Sequence, residues 1–245
     1  PTQLQQVFFR SSGSFSGSQF TYAAIDNQGV SDPTPAVVQL TLASSVEPVG
    51  CKDGKDKEGD KSDNQIRGTR NLDTLLGKGG NDLLKGLDCN DVLEGNRGKD
   101  RLLGGGARDR LLGQQDNDRL SGGGGDDVLN LGLGSDRGKG DKGNDILDGH
   151  RGKDNLLGGH GNDDLRGGRG KDKLNGGTNQ DILNGQQNND DLQGDKGSDN
   201  VNGGLGTDRA RGGTYNDTVR GGRGNDVIWG GKGQDKIVGN RGDDK

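Results

Sequence analysis

From Leu75 to Ile237 an aliphatic residue recurs at every ninth position, and polar residues and glycine fill most of the positions between. Only Gly138 and Ala210 are weak members of this series. One apolar position in nine does not match the 3.6-residue period of an amphipathic helix. The pattern favours a short strand whose aliphatic residue points inward and whose neighbours point outward, followed by a six-residue turn.

Each aliphatic position belongs to a nonapeptide of the form G-x-x-G-x-D-x-(aliphatic)-x, which runs from Gly59 to the end of the chain. The first position is Gly in every copy except at Leu131. The fourth position is Gly in 13 of 21 copies and Asn or Asp in four of the other eight. These residue types tolerate a left-handed backbone, so we expect a tight turn there. Strained or irregular turns are expected at three other fourth positions: Cys89, Ala107 and Tyr215.

Two nonapeptides, and so two strands and two turns, make one coil, and stacked coils form two parallel sheets over a thin aliphatic core. The predicted fold class is therefore all-β, a parallel β-roll or two-sheet solenoid built from tandem nonapeptide repeats. Glycine at this density disfavours helices, and collagen would require glycine at every third position. The least regular copy is 131–139, where we expect a local defect that Leu131 or Leu133 partly fills.

The sixth position of the nonapeptide is Asp in 20 successive copies, and Asn64 occupies the preceding one. We call this series the Asp ladder: Asp73, Asp82, Asp91, Asp100, Asp109, Asp118, Asp127, Asp136, Asp145, Asp154, Asp163, Asp172, Asp181, Asp190, Asp199, Asp208, Asp217, Asp226, Asp235 and Asp244. Stacking places carboxylates of successive coils about 5 Å apart in two like-charged rows. Carboxylate and turn carbonyl oxygens are ligands for calcium rather than for zinc or copper, so we expect several Ca²⁺ ions among these residues.

Composition alone would suggest disorder, because only 24% of the residues are hydrophobic and 52 of the 245 are Gly. A regular roll built from so few apolar residues needs a further source of stability, and cation binding supplies folding free energy directly. The ladder is thus expected to hold the metal and the fold together.

The tandem unit resembles the RTX, or haemolysin-type, calcium-binding nonapeptide, as in Gly122–Asn130 and Gly221–Trp229. The resemblance implies calcium bound between turns by Asp side chains and turn carbonyls, in secreted or cell-surface bacterial proteins that fold on meeting calcium. Only ten copies have Gly at the second position. We expect weak or absent binding at the turns that depart most from the motif: Asn71, Cys89, Ala107, Asp116, Asn179, Asn188 and Tyr215.

The residues before the repeats differ in character. Residues 1–42 contain two strand-like segments around Asp26–Gly29 and resemble the closing hairpin of a cadherin-like or Ig-like module. Residues 43–58 are expected to be a charged linker and residues 59–245 the β-roll. The chain has no initiator Met and no signal-peptide pattern, so we expect it to be part of a longer protein. Cys51 and Cys89 either form one disulfide or remain two free thiols, and the sequence slightly favours the free thiols.

Charge suggests a partner. Residues 59–245 carry 32 acidic and 29 basic residues, and 20 of the acids belong to the Asp ladder. Neutralising the ladder therefore leaves a cationic surface. Arg101, Arg119 and Arg137 recur at every second nonapeptide and belong to one row with Lys173 and Arg209. The corresponding row on the opposite sheet is largely aliphatic, with Val92, Val128, Ile146 and Ile182 interrupted by Arg110. Acidic polysaccharide, lipopolysaccharide or a cell surface are candidate partners, as is a larger assembly.

Other function classes find less support. No zinc-protease motif, nucleophile elbow or transmembrane segment is present in the sequence, so neither an enzyme nor a membrane-spanning segment is expected. No sequence-specific nucleic-acid binding is expected either, and the scarcity of Thr argues against ice binding. The sequence predicts a calcium-binding stalk, scaffold or adhesive module; the alternative is the calcium-dependent C-terminal part of a secreted toxin or enzyme.

Overall fold

The computed structural model describes residues 50–245, and this part of the chain is built from short strands and turns. In chain order the strands are β1 (Lys57–Glu58), β2 (Gln65–Arg67), β3 (Thr74–Gly79), β4 (Leu83–Leu87), β5 (Val92–Arg97), β6 (Arg101–Gly106), β7 (Arg110–Gln115), β8 (Arg119–Gly124), β9 (Val128–Gly134), β10 (Arg137–Lys142), β11 (Ile146–Asp148), β12 (Arg151–Gly152), β13 (Asn155–His160), β14 (Asp164–Gly170), β15 (Lys173–Thr178), β16 (Ile182–Gln187), β17 (Asp191–Lys196), β18 (Asn200–Leu205), β19 (Arg209–Thr214), β20 (Thr218–Arg223), β21 (Val227–Lys232) and β22 (Lys236–Arg241).

The strands form two parallel sheets. Sheet A has the order β1-β3-β5-β7-β9-β11-β14-β16-β18-β20-β22, with β12 as a separate piece between β9 and β14, and sheet B has the order β2-β4-β6-β8-β10-β13-β15-β17-β19-β21. Partners across each sheet are two nonapeptides apart in the sequence, as in Leu93↔Leu111 and Leu102↔Leu120. The predicted β-roll with two nonapeptides per coil is confirmed.

The aliphatic residues of the eighth position form one continuous core between the sheets. Buried members are Ile66, Leu75, Leu84, Leu93, Leu102, Leu111, Leu120, Leu129, Leu147, Leu156, Leu165, Leu174, Leu183, Leu192, Val201, Ala210 and Val219. Each contributing strand supplies one of these side chains to the core, because successive residues of a strand point to opposite faces. The core is therefore only one side chain wide in each half-coil.

The irregular copy 131–139 keeps its register, because its own first residue supplies the missing core group. Leu131 is fully buried, and a Cβ placed on Gly138 would lie 3.1 Å from Cδ1 of Leu131. Leu131 thus fills the space that Gly138 leaves, as expected, whereas Leu133 is 48% exposed and does not. Strand β10 pairs in register with β8 and β13 on either side, so the sheet is unbroken here.

Regular pairing begins before Gly59. Strand β1 pairs with β3, and Asp53 forms a parallel bridge with Leu72. Cys51 is joined by a disulfide to Cys89, with 6.0 Å between their Cα atoms. The expectation of two free thiols is therefore wrong, because the roll folds these two positions against each other.

Two expectations lie beyond this part of the chain: the hairpin of residues 1–42 and the first residues of the linker, 43–49, fall outside the described residues. Between residues 50 and 245, no helix is long and apolar enough to cross a membrane.

Candidate metal centre

The Asp ladder forms two rows in which every carboxylate contacts the coil before it. Oδ1 of each ladder residue accepts a hydrogen bond from the backbone N–H at the same position of the preceding coil, at 2.7–3.0 Å throughout. Asp118, for example, accepts from Asp100 and its own N–H donates to Asp136. All twenty predicted aspartates are therefore brought into the stacked arrangement that the register implies.

The second carboxylate oxygen has no such partner. In 17 ladder residues Oδ2 is buried and receives no hydrogen bond from any described group: Asp82, Asp91, Asp100, Asp109, Asp118, Asp127, Asp136, Asp145, Asp154, Asp163, Asp172, Asp181, Asp190, Asp199, Asp208, Asp217 and Asp226. A buried acceptor without a donor is rare in proteins and costs about 1–3 kcal/mol, more for a charged group. Seventeen repetitions of this cost require a common explanation.

In most copies the first glycine lies against that second oxygen. A Cβ on Gly167 would lie 2.7 Å from Oδ2 of Asp172 and 2.9 Å from the carbonyl oxygen of Gly185, one coil further on. Gly149 has the same surroundings, with Oδ2 of Asp154 at 2.7 Å and the Gly167 carbonyl at 2.5 Å from such a Cβ. Carboxylate and carbonyl oxygens of adjacent coils therefore converge here, and both are acceptors only.

The turns between strands place residues of the second and fourth positions in the left-handed region. Six of the eight fourth-position residues other than glycine adopt it, with φ of 74° at Cys89 and at Ala107 and 83° at Tyr215, whereas Ser62 and Asn71 do not. The predicted left-handed position is confirmed for these turns. The second position is also left-handed, as at Lys78 with φ 78° and Gln114 with φ 79°. This second requirement was not predicted, and its sequence signal is the glycine that ten copies carry there.

Burial raises the pKa of most ladder aspartates, because the ionised form loses its water. The pKa rises from an ordinary 3.8 to about 8 in Asp109 and Asp118 and to about 7 in Asp145. The hydrogen bond from the preceding coil opposes this rise, and the carboxylates of adjacent coils add to it. In the metal-free roll, an ionised ladder is therefore unfavourable near neutral pH.

These donors fit a hard divalent cation. Among residues 50–245, no three side chains of His, Cys, Asp or Glu come together in one group. The glycine carbonyls beside Oδ2 are further oxygen donors. Calcium accepts such mixed sets of carboxylate and carbonyl oxygens, whereas zinc prefers nitrogen and sulfur.

The comparison with protein families agrees with this donor set. The family described as RTX calcium-binding nonapeptide repeat, four copies per unit, matches residues 67–102, 103–138, 139–174, 175–210 and 211–245. The chain belongs to the RTX repeat family. No curated protein matches the chain. RTX nonapeptides bind calcium, so residues 67–245 are a calcium-binding repeat segment, and the β-solenoid is a structural repeat fold rather than a catalytic one.

Three ladder residues differ from the rest of the RTX roll. Oδ2 of Asp73 accepts hydrogen bonds from the backbone and side chain of Thr69. Asp235 and Asp244 lie in the last coil, where the carboxylates are less covered. We expect these three residues, which lie at the two ends of the ladder, to contribute less to metal binding than the 17 buried carboxylates.

A second ladder in the RTX roll was not predicted. The side-chain oxygen of the residue before the ladder Asp accepts a hydrogen bond from the backbone N–H of the same position one coil later. Asn accepts in this way eight times, at 2.7–3.1 Å: Asn81, Asn90, Asn117, Asn144, Asn162, Asn189, Asn216 and Asn225. The frequent Asn at this position was the available signal. Asp63 and Asp126 accept in the same way, so this ladder is mostly uncharged, and it links the coils without a metal.

Proposed function

We propose that residues 59–245 form a calcium-dependent structural segment of a secreted or cell-surface bacterial protein and fold when calcium binds to the Asp ladder. The 17 buried Oδ2 atoms without a donor carry this proposal. The ladder aspartates would be the side-chain ligands, and the carbonyls of the Gly-rich turns would complete the sites. When bound, calcium supplies the positive charge that the buried carboxylates lack.

The two oxygens of each ladder carboxylate have different surroundings, and this difference supports the assignment. Oδ1 is held by the backbone N–H of the preceding coil, which fixes the direction of the carboxylate plane. Oδ2 is thereby directed toward the glycine carbonyl of the next coil, where the roll offers no hydrogen-bond donor. Each ladder carboxylate would therefore join its coil to the preceding one by a hydrogen bond and to the next one through a shared cation.

Two observations support an extracellular location. RTX repeats are typical of secreted bacterial proteins. The disulfide between Cys51 and Cys89 belongs to oxidising compartments, because cytosolic thiols are normally kept reduced. A regular stack of similar coils suits a stalk, scaffold or adhesive module, and we assign the segment no catalytic role.

The first test is circular dichroism of the chain in excess chelator and then in rising calcium. We expect weak β-signal without calcium and a cooperative gain of β-signal on titration, because binding free energy becomes folding free energy. Magnesium at the same concentration should be less effective, since it demands regular octahedral geometry and retains its water. An identical spectrum with and without calcium at neutral pH would contradict the proposal.

The second test changes one ladder residue. Asp118→Asn keeps an oxygen that can accept the Asp100 N–H but removes the charge that faces the cation. We expect a higher calcium midpoint and a loss of roughly 1–3 kcal/mol of stability in saturating calcium. The control is Asp164→Asn, which removes the same charge from an exposed ion pair with Arg166 and should change the midpoint little. Equal effects of the two variants would show that net charge, not the ladder, sets calcium affinity.

A further inference from the structure

Three arginines are stacked on the outer face of sheet B. Arg101, Arg119 and Arg137 are direct Cα partners on β6, β8 and β10, and all three are exposed. Neighbouring strands lie about 4.8 Å apart, so three like charges are held one strand spacing from each other. Like charges directly opposite in a sheet are destabilising. We call these three residues the arginine row.

The arginine row is unpaired, whereas two other cations of sheet B are paired. Among residues 50–245 its guanidinium groups make no ion pair and no side-chain hydrogen bond. By contrast, Arg211 pairs with Asp191 on the same sheet, and Lys139 pairs with Asp141 beside the row. The unpaired row therefore presents its full charge to an anion.

The protein surface around the arginine row forms a groove that could hold an extended ligand. A shallow groove of about 570 Å³ crosses five strands, from β6 to β15, and so runs along the axis of the roll. Ser121, Asn155 and Asn175 line it with hydroxyl and amide groups, and Leu103 and Leu157 add half-buried apolar surface. This mixture suits a sugar ring, whose hydroxyls need polar partners and whose C–H faces need apolar ones.

The same groove is poorly suited to single-stranded nucleic acid. Unstacked bases bind on aromatic side chains, and none lines the groove. The one tryptophan, Trp229, lies on β21 and is covered by the guanidinium of Arg211 at 4.6 Å from the ring centre.

Each arginine of the row directly follows a ladder aspartate: Asp100, Asp118 and Asp136. While those carboxylates are ionised and free, they offset the charge of the arginines beside them. Once a cation is bound there, the row keeps its positive charge without that opposition. Anion binding at the row is therefore expected to be strongest in the calcium-loaded roll.

We propose that the arginine row binds a linear acidic polysaccharide that lies along the roll axis, with carboxylate or sulfate groups on successive guanidinium groups. Guanidinium bonds such planar or forked anions through two N–H groups at once. The proposal rests on the proposed function, since calcium holds the coils, and hence the row, in register. By linkage, the polysaccharide should in turn raise calcium affinity.

The test compares two triple variants of the full chain in calcium. One is Arg101→Gln, Arg119→Gln and Arg137→Gln. The control changes three exposed arginines of sheet A, Arg151→Gln, Arg169→Gln and Arg223→Gln, and so removes equal charge. Binding to immobilised heparin and to a short oligogalacturonate is measured across a salt series. We expect the sheet B variant to lose about tenfold in affinity or more, and the sheet A variant to lose about twofold or less.

Circular dichroism of the same samples separates the two proposals. A chain that folds with calcium but shows no binding, or equal losses in both variants, would overturn the polysaccharide site and leave the calcium-dependent fold intact. Stronger competition by a single-stranded oligothymidine than by oligogalacturonate would also overturn it, in favour of nucleic acid. A chain that fails to fold with calcium would instead refute the proposed function.

Discussion

At the scale of single residues, glycine is favoured at the first and second positions of the nonapeptide for different physical reasons. Except at Leu131, the first position has ordinary backbone angles but no room for a side chain, because Oδ2 of the ladder Asp and a carbonyl of the next coil approach it. The second and fourth positions need a left-handed backbone, which Asn, Asp and even Lys78 adopt at some cost. Glycine at the first position should therefore be the harder to replace.

Gly167→Ala tests this difference. The new Cβ would meet Oδ2 of Asp172 at 2.7 Å, so we expect a loss of about 1–3 kcal/mol in the free energy of unfolding and a higher calcium midpoint. Gly124→Ala is the matched control: no atom lies within 4 Å of its added Cβ, and its φ is not in the left-handed region. That change should be neutral or stabilise by up to about 1 kcal/mol. Denaturant unfolding in saturating calcium measures both, and an undisturbed Gly167→Ala variant would refute the close approach.

The sequence predicted the ladder aspartates one by one but not how each oxygen is used. Periodicity alone placed Asp118 beside Asp136, because a step of two nonapeptides is one coil. It could not show that Oδ1 accepts an N–H and leaves Oδ2 bare, since that depends on the rotamer and on the path of the turn. The second-position backbone was missed for a similar reason: 11 of the 21 copies hold a residue other than Gly there, which hides the requirement.

At the scale of the repeat element, copy 131–139 shows that a coil tolerates the exchange of two positions. Leu131 occupies the first position, where glycine is the rule, and Gly138 the eighth, where an aliphatic is the rule. Leu131 points inward from β9 of sheet A, two residues after the buried Leu129, and Gly138 lies opposite on β10 of sheet B. Leu131 can therefore reach the space above Gly138, and a defect expected from either residue alone does not arise.

The pair predicts strong coupling. Leu131→Gly should leave a cavity and cost about 2–5 kcal/mol, and Gly138→Leu should overpack against Leu131 and cost about 1–3 kcal/mol. The double variant restores the consensus nonapeptide and should be far more stable than the sum of the single effects. Unfolding free energies of the four proteins in calcium give the coupling energy. Additive losses would mean that the two side chains do not share one space.

At the scale of the whole molecule, the roll is a one-dimensional stack in which each coil contacts mainly its neighbours. Stability then propagates from coil to coil, and the ends are its weakest points. The disulfide of Cys51 and Cys89 closes a span of 38 residues at the N-terminal end of the described roll. Cysteine count alone could not predict it, because the pairing depends on how segment 50–58 packs on the coils that follow.

Reduction of this disulfide should therefore act locally. We expect a loss of about 2–4 kcal/mol at most in stability and faster amide exchange in the first coils, including the Gly59 N–H that donates to Leu76. The Gly206 N–H, which donates to Arg223 far along the roll, serves as the internal control and should keep its protection. Hydrogen exchange of oxidised and reduced protein in calcium measures both. Uniform loss of protection along the chain would show that the stack unfolds as one unit.

Proton binding offers the metal-free roll a second way to neutralise its buried carboxylates. In the folded state the pKa is about 8 in Asp109 and Asp118 and about 6 in Asp100 and Asp136, against 3.8 ordinarily. The folded chain therefore binds more protons than the unfolded chain between about pH 4 and pH 8. Protonation contributes stability that is fully present below the ordinary pKa of 3.8 and is lost as pH rises through the folded-state pKa values.

In chelator, β-signal should consequently be greater at pH 5 than at pH 8, whereas calcium affinity should change in the opposite sense, because protons compete for the same oxygens. Circular dichroism of chelated protein across this range, followed by calcium titration at each pH, tests both statements on one sample. If the β-signal in chelator stayed constant from pH 5 to pH 8, the buried carboxylates would not be what keeps the metal-free roll unfolded. If it fell with rising pH while calcium restored it at pH 8, protons and calcium would be acting on the same ladder of oxygens.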